Sequence, residues 1–289
     1  IPGVDLEITH WNGNETPDRL YADTSTEMAL KFAKLDDEFK NAWILNNHYD
    51  TDGVLSSWAC LKPEMVLPFA ELMRQGAEAG DFGEWSSDNG VKLDCAIEAI
   101  LSKQGDEESA YQEAFSELPS LLEDLQHKDG ENYRHLWEDG FEEAQEGWKE
   151  LESGRATLKR GPGRMVILHE PAGGRLPPYC LDRGLKSGDL WKDTTRVLRV
   201  MESADSYEFH YEKVGHGWVQ KVVDRHIVPP MDGSKLASEL NELNTNGSEW
   251  KAGGPGSLVA ICQGSVPKGD NVDADDVAKM LYKLDSGCQ

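Results

Sequence analysis

Two spacings of apolar residues run along this chain. Short apolar runs come early, at Leu6-Glu7-Ile8 and from Ala42 to Asn47, and between them Met28, Phe32, Leu35 and Phe39 recur at three and four. That order predicts a strand, a helix and a second strand parallel to the first, since parallel strands need a crossover and a helix is its usual form. Thr24 and Glu27 supply a capping box for the helix, and Asn12 to Thr16 with Pro17 make the loop before it. His10 and His48 would then end neighbouring strands on one edge of a sheet. Further helices are expected from Pro63 to Ala79, whose end Gly76, Gly80 and Gly83 would loosen, and from Asp88 through Leu101. From Gly105 to Gly154 the helical spacing continues with an acidic outer face, and 110–125 and 133–151 read as an antiparallel pair.

Past the Gly, Pro and basic stretch from Arg155 to Arg164, the period shortens to two. Met165–Leu168, Thr195–Met201, Tyr207–Val214 and Trp218–Val223 read as strands. A helix from Ser234 to Leu243, a glycine-rich loop at 252–256, a strand from Leu258 to Cys262 and a helix from Asp273 to Leu284 complete the chain. The expected class is α/β. A parallel-sheet lobe occupies 1–105, an acidic helical pair and linker 106–160, and a second, α+β lobe 161–289.

Composition narrows the partners. With 289 residues and 38% hydrophobic content, the chain can bury a large core. Its 53 acidic against 29 basic residues leave a net charge of −24. Such a surface repels a polyphosphate backbone, so a small anionic substrate is expected and long nucleic acid is not. No run of about 18 apolar residues is present, so no membrane span is expected, and the first residues lack the features of a signal peptide, which favours the cytoplasm. The five cysteines (60, 95, 180, 262, 288) include no Cys-x-x-Cys pair and read as reduced, with Cys288 in a frayed tail.

Candidate chemistry concentrates between Ala42 and Ala59. His48, Asp50 and Asp52 alternate with Tyr49 and Thr51, and in extended backbone their side chains would share one side. Two carboxylates and an imidazole beside Asn46 and Asn47 call for a compensating cation. The same Asp-x-Asp-Gly is also ordinary helix-capping chemistry, in which Asp accepts from the first turn and Gly permits the bend. His10 lies at the end of the first expected strand. Asp81 follows Gly80 after one helix and has a turn reading as well. In the second lobe, His169 at a strand end and Arg175 after paired glycines offer an acid or base and a planar anion fork.

The run His-Tyr-Asp-Thr-Asp-Gly at 48–53, followed by Val54-Leu55-Ser56, resembles the first motif of the DHH phosphoesterase superfamily. That superfamily includes RecJ-type nucleases, cyclic-dinucleotide phosphodiesterases and family II pyrophosphatases. Ile8 to Asn14, with Ala22 to Glu27, is similar to its Asp-His-His stretch, although Thr9 and Trp11 replace the first Asp and second His and the stretch precedes the His48 motif. Ala79 to Gly83 is similar to its last ligand motif, the 252–256 loop to its substrate loop, and no segment matches its bridging aspartate. The resemblance implies that His10, His48, Asp50, Asp52 and Asp81 hold one or two divalent ions, Mn²⁺ first and Zn²⁺, Fe²⁺ or Mg²⁺ as alternatives. It implies substrate contacts from Asn47, His169 and Arg175, and hydrolysis of a phosphoester or phosphoanhydride of a small molecule. The same donors would also suit an amide hydrolase or oxygenase, and a non-catalytic ligand-binding relative is the third reading. The chain as a whole also resembles a bacterial protein family of uncharacterised function.

Overall fold

The computed structural model describes residues 5–35, 42–171, 174–243, 248–253, 258–267 and 273–287. Contacts divide the chain into one unit of residues 1–144 with 221–225 and another of 145–220 with 226–289. The protein is α/β, as the two apolar periods predict. Among the described residues, however, every strand lies after Ala156. Residues 6–8 and 42–46 run as irregular backbone, and the parallel pair expected there is absent. Trp43 is 93% and Leu45 62% exposed, so an apolar run that reads as a buried strand is laid open to solvent.

The first unit is helical. It holds α1 (Ser25–Phe32), α2 (Thr51–Leu61), the one-turn α3 (Pro63–Val66), α4 (Ala70–Phe82), α5 (Asp88–Gln104), α6 (Glu107–Lys128) and the first part of α7 (Arg134–Glu152). The Thr24–Glu27 capping box is present: Thr24 accepts from the Glu27 N–H, and the Glu27 carboxylate accepts from the Thr24 N–H. The helix stops at Phe32, short of the expected Phe39: residues 33–35 are turn and bend, and 36–39 lie outside the described residues. Met28, Leu55, Met73, Leu93, Ile97 and Leu121, each less than 2% exposed, form much of the interior of this unit.

Gly76 and Gly80, expected to loosen a helix end, instead sit one turn apart inside α4 and let neighbours approach. A Cβ on Gly76 would stand 2.7 Å from Leu93 Cδ2, and one on Gly80 would stand 2.9 Å from Thr51 Cβ and 2.8 Å from Asp94 Oδ1. The helix stops at Gly83, whose positive φ of 61° places it in the left-handed region, with its N–H and that of Glu84 turned back on Ala79 and Glu78.

The second unit carries one sheet. It continues from the end of α7 through β1 (Thr157–Arg160), β2 (Met165–His169), α8 (Pro178–Ser187), β3 (Arg196–Glu202), β4 (Ser206–Lys213), α9 (Gly233–Leu243), β5 (Glu249–Ala252), β6 (Ala260–Pro267) and α10 (Ala274–Gly287). The strand order is β1-β2-β3-β4-β6-β5, with only β2 and β3 parallel. Met165, Ile167, Leu198, Val200, Phe209 and Tyr211 turn one face of the sheet toward α9 and α10. The strand expected at Trp218–Val223 does not form: Gly215–Trp218 is a short 3-10 turn, and 221–225 belong to the first unit. No disulfide joins the four described cysteines to one another, and the expected tail at Cys288 and most of the 252–256 loop lie outside the described residues. No helix among the described residues is long and apolar enough to cross a membrane.

On the sheet's other face, period-two alternation brings Arg199 where an apolar residue is usual. Only 2% of its side chain is exposed, and its guanidinium donates to Glu212 Oε2 at 3.0 Å and Glu170 Oε1 at 2.6 Å. Replacing Arg199 by Leu leaves two buried carboxylates facing each other, so we expect a loss of about 3–5 kcal/mol in urea-unfolding stability, whereas replacing Arg199, Glu170 and Glu212 together by apolar residues should cost much less.

Candidate metal centre

The centre grows from helix ends. The first N–H groups of a helix have no partner within it, and α1 is served by residues from two places. Thr24 takes the N–H of Glu27, while Asp52 accepts from Ser25 N at 2.9 Å (Oδ2) and Thr26 N at 2.7 Å (Oδ1). Asp52 is itself in the first turn of α2, whose N-cap is Asp50, accepting from Gly53 N at 2.6 Å. The capping reading of Asp-x-Asp-Gly is therefore realised for Asp50. The alternating extended geometry is not: Asp52 is helical and turns away from the His48 side.

His10, 2% exposed, completes a compact cluster with Asp52 and Asp81. Its Nδ1 lies 3.4 Å from Ser25 Oγ and 3.6 Å from Asp52 Oδ2, and its Nε2 lies 3.1 Å from Asp81 Oδ2. One ligand atom from each of His10, Asp52 and Asp81 lies within 4.8 Å of the others. Three donors at about 2.0–2.6 Å from a shared ion are at most about 5 Å apart, so the spacing fits one divalent cation. Asp81 is in the last turn of α4 and not in a loose glycine turn, and Oδ2, although beside His10, has no well-formed hydrogen bond among the described residues.

The electrostatics agree. Burial pushes the Asp81 carboxyl above its usual range, and the charge of Asp52 adds to the push against the opposing pull of His10. Burial lowers the affinity of His10 for a proton, but Asp81, Asp52 and Asp50 outweigh it and hold the imidazole above its ordinary value. A cation at this place would offset both the burial that opposes ionisation of Asp81 and the mutual repulsion of Asp52 and Asp81.

The remaining expected ligands form a second pair. His48 Nε2 and Asp50 Oδ2 are 2.6 Å apart, each side chain about one-third exposed, and Asn47 Oδ1 meets His48 Nδ1 at 2.7 Å. Asp50 holds the His48 imidazole above its ordinary value, through their hydrogen bond first. This pair, Asn47 and the three-residue cluster all line one cavity of about 1040 Å³, formed by residues between Asp5 and Asp81. The five proposed ligands thus share a cavity, but only three share a single-ion position.

His169 and Arg175 lie in the other unit and are not brought together. Strand alternation puts His169 on the α9/α10 face, where burial and then Lys159 lower its pKa. Arg175 donates to Glu212 at 2.5 Å on the opposite face, with Arg199 beyond.

Several residues that shape the centre carry no sequence signal of it. Asp94 of α5 accepts from Thr51 Oγ1 at 2.5 Å, between the two aspartates of the motif, and Tyr111 of α6 donates to the His48 carbonyl at 2.8 Å. Asp94 sits in the sequence among Val91, Leu93 and Ile97, which marks an acid in an apolar stretch but not its partner. Arg225 has no such mark. Its guanidinium is buried between Asp23 (2.7 Å), Glu78 (2.9 Å) and Glu84 (2.7 Å), and lies 4.6 Å from the ring centroid of Phe82, next to Asp81. Asp23 also accepts from Val223 N and Asp224 N at 2.5 and 3.1 Å, so the 223–225 segment is fastened to the residue before the α1 cap.

Fold and site together define an α/β protein with a buried His-Asp-Asp cluster suited to a divalent cation. The chain belongs to the Family of unknown function (DUF6687), which it matches over residues 1–275. No curated protein matches it. Among solved structures it is similar to the pGpG-specific phosphodiesterase PggH from Vibrio cholerae, with a TM-score of 0.35 and 13% identity over 85% of this chain and 80% of that one. An overlap so loose does not bear on the chemistry, which rests on this chain's own side chains.

Arg225→Ala would strand three carboxylates around Phe82. The expected result is a loss of about 3–5 kcal/mol in denaturant-unfolding stability, with faster amide exchange at 78–84, and only partial recovery in Arg225→Lys, which cannot fork to three partners.

Proposed function

We propose that this protein is a divalent-metal-dependent hydrolase of a phosphoester or phosphoanhydride in a small molecule. The observation that carries the reading is the convergence of His10, Asp52 and Asp81 from three separate segments onto one buried position in the cavity. The resemblance of residues 48–53 to the first DHH motif supports phosphorus as the reacting centre, and the spatial approach of His10 and Asp81 to that motif is what the resemblance requires despite the altered chain order. Mn²⁺ suits one imidazole with two carboxylates, and Mg²⁺, Zn²⁺ and Fe²⁺ accept the same donor atoms.

In this reading His10, Asp52 and Asp81 would hold the ion. When bound, it lowers the pKa of water and stabilises charge developing on a phosphate oxygen. The chain supplies orientation. The N–H groups of Ser25 and Thr26 fix both oxygens of Asp52 while leaving each with a further lone pair. Asp94 holds Thr51, and Tyr111 holds the His48 carbonyl, which fastens the loop to α5 and α6. His48, Asp50 and Asn47 present polar atoms on the adjacent wall, as ligands of a second ion or as contacts to the substrate.

Elemental analysis should find a divalent ion in the purified protein, and Asp52→Asn and Asp81→Asn should each weaken its retention at least on the order of 100-fold, with parallel loss of bis(p-nitrophenyl) phosphate hydrolysis. Equal metal content in wild type and both variants would remove the centre. Metal retention without turnover of phosphoesters or phosphoanhydrides would remove the reaction.

A further inference from the structure

We infer that the substrate of this centre is a singly charged phosphodiester bearing a flat or branched apolar group, seated on a wall made by Trp11, Trp43 and Leu45. The inference rests on the hydrolytic reading of the cavity and narrows its substrate class. Two independent observations support it, one about apolar surface and one about charge.

Twelve large hydrophobic side chains stand exposed among the described residues, and six of them, Trp11, Leu35, Trp43, Leu45, Leu61 and Leu67, line this one cavity. Scattered exposed leucines are ordinary, but their collection in one concave place marks a binding surface. The wall begins beside the polar cluster: the Trp11 ring meets His48 edge-on, centroids 5.7 Å apart. Trp11 directly follows His10 in the chain and shares its cavity, so a ligand with phosphorus at the His-Asp-Asp position meets an indole in the same cavity. An indole face favours a flat partner.

Charge limits what carries that group. Asp5, Glu7, Asp50, Asp52, Glu64 and Asp81 line the cavity, and no Lys or Arg is among its described lining residues. One divalent ion offsets two of these charges, His10 and His48 are the only other cationic side chains among the described lining residues, and each further negative charge on a ligand adds repulsion from the carboxylates that remain. A phosphodiester brings one charge, a phosphomonoester close to two at neutral pH, and a diphosphate more. Hydrolysis of the diester adds water oxygen to phosphorus and breaks one P–O bond. The released alcohol takes a proton, a phosphomonoester is the other product, and no atom changes oxidation state.

The test uses ligands that cannot react. Protein loaded with Mn²⁺ is titrated calorimetrically with diphenylphosphinate and dimethylphosphinate, both singly charged, and with doubly charged phenylphosphonate at pH 8.5. The inference expects diphenylphosphinate to bind about tenfold or more tightly than either of the others. Trp43→Ala and Leu45→Ser should erase the preference over dimethylphosphinate while metal content stays at the wild-type level. Equal affinities, tightest binding of phenylphosphonate, a preference unchanged in both variants, or no phosphinate binding would each overturn it. So would a wild-type dimer in sedimentation that Trp43→Ala dissociates, since the wall would then be an interface between copies. Failure of the hydrolase reading shows separately, as metal-loaded protein that discriminates the phosphinates yet turns over no phosphoester.

Discussion

A carboxylate removed from water must find donors, and Asp52 finds them at the start of α1. Ser25 and Thr26 each give one N–H to it, which satisfies helix ends that would otherwise have no partner and places a negative charge at the positive end of the helix. The interaction joins the first turns of α1 and α2, residues 24–26 and 50–53, into one rigid corner. His10 leads into that corner and Asp81 closes it from the end of α4. Without Asp52 there, neither the imidazole nor the second carboxylate has a common point to face.

The protein manages buried charge in two contrasting ways. Around Arg225 and Arg199, each guanidinium is surrounded by carboxylates at hydrogen-bonding distance. The forked geometry of arginine lets one cation serve two or three anions, so these networks are nearly complete within the chain. At His10, Asp52 and Asp81 no arginine is within salt-bridge distance of either carboxylate among the described residues. Helix N–H groups offset part of the charge on Asp52, but Asp81 remains in a buried place where its own ionisation is opposed. The arginine clusters hold their own counter-charge; the His10, Asp52 and Asp81 cluster instead lines a cavity. That difference separates a candidate metal centre from the other acidic groupings of a protein with a net charge of −24.

The rigid support of the cluster comes from close helix contact. Gly80 allows α4 to press against Thr51 while Asp94 holds that residue's hydroxyl, so the loop bearing both aspartates is braced from α4 and α5 together. Arg225 then fixes the end of α4 through Glu78, Glu84 and Phe82, on either side of Asp81. Positioning of this kind matters because ligand geometry must hold to fractions of an ångström while the chain around it fluctuates.

Local physics wrote part of this into the sequence. The Thr24–Glu27 capping box, the acidic helices at 107–128 and 134–152, and the strands at 165–169, 196–202 and 206–213 depend on residues a few positions apart. They could be read from spacing. His10, Asp52 and Asp81 were likewise identifiable as residue types in suggestive settings. What only the tertiary structure decided was pairing at a distance. The apolar run at 43–45 has the composition of a strand, but among the described residues no strand pairs with it, and it lines a cavity instead. Asp50 and Asp52 sit two residues apart, yet helix geometry, not extended backbone, sends one to its own helix cap and the other to the N-terminus of α1. Arg225 lies some 200 residues from Asp23 in the chain, and no local pattern marks it, because neutralising a buried charge depends on which segments meet and not on which residues precede or follow.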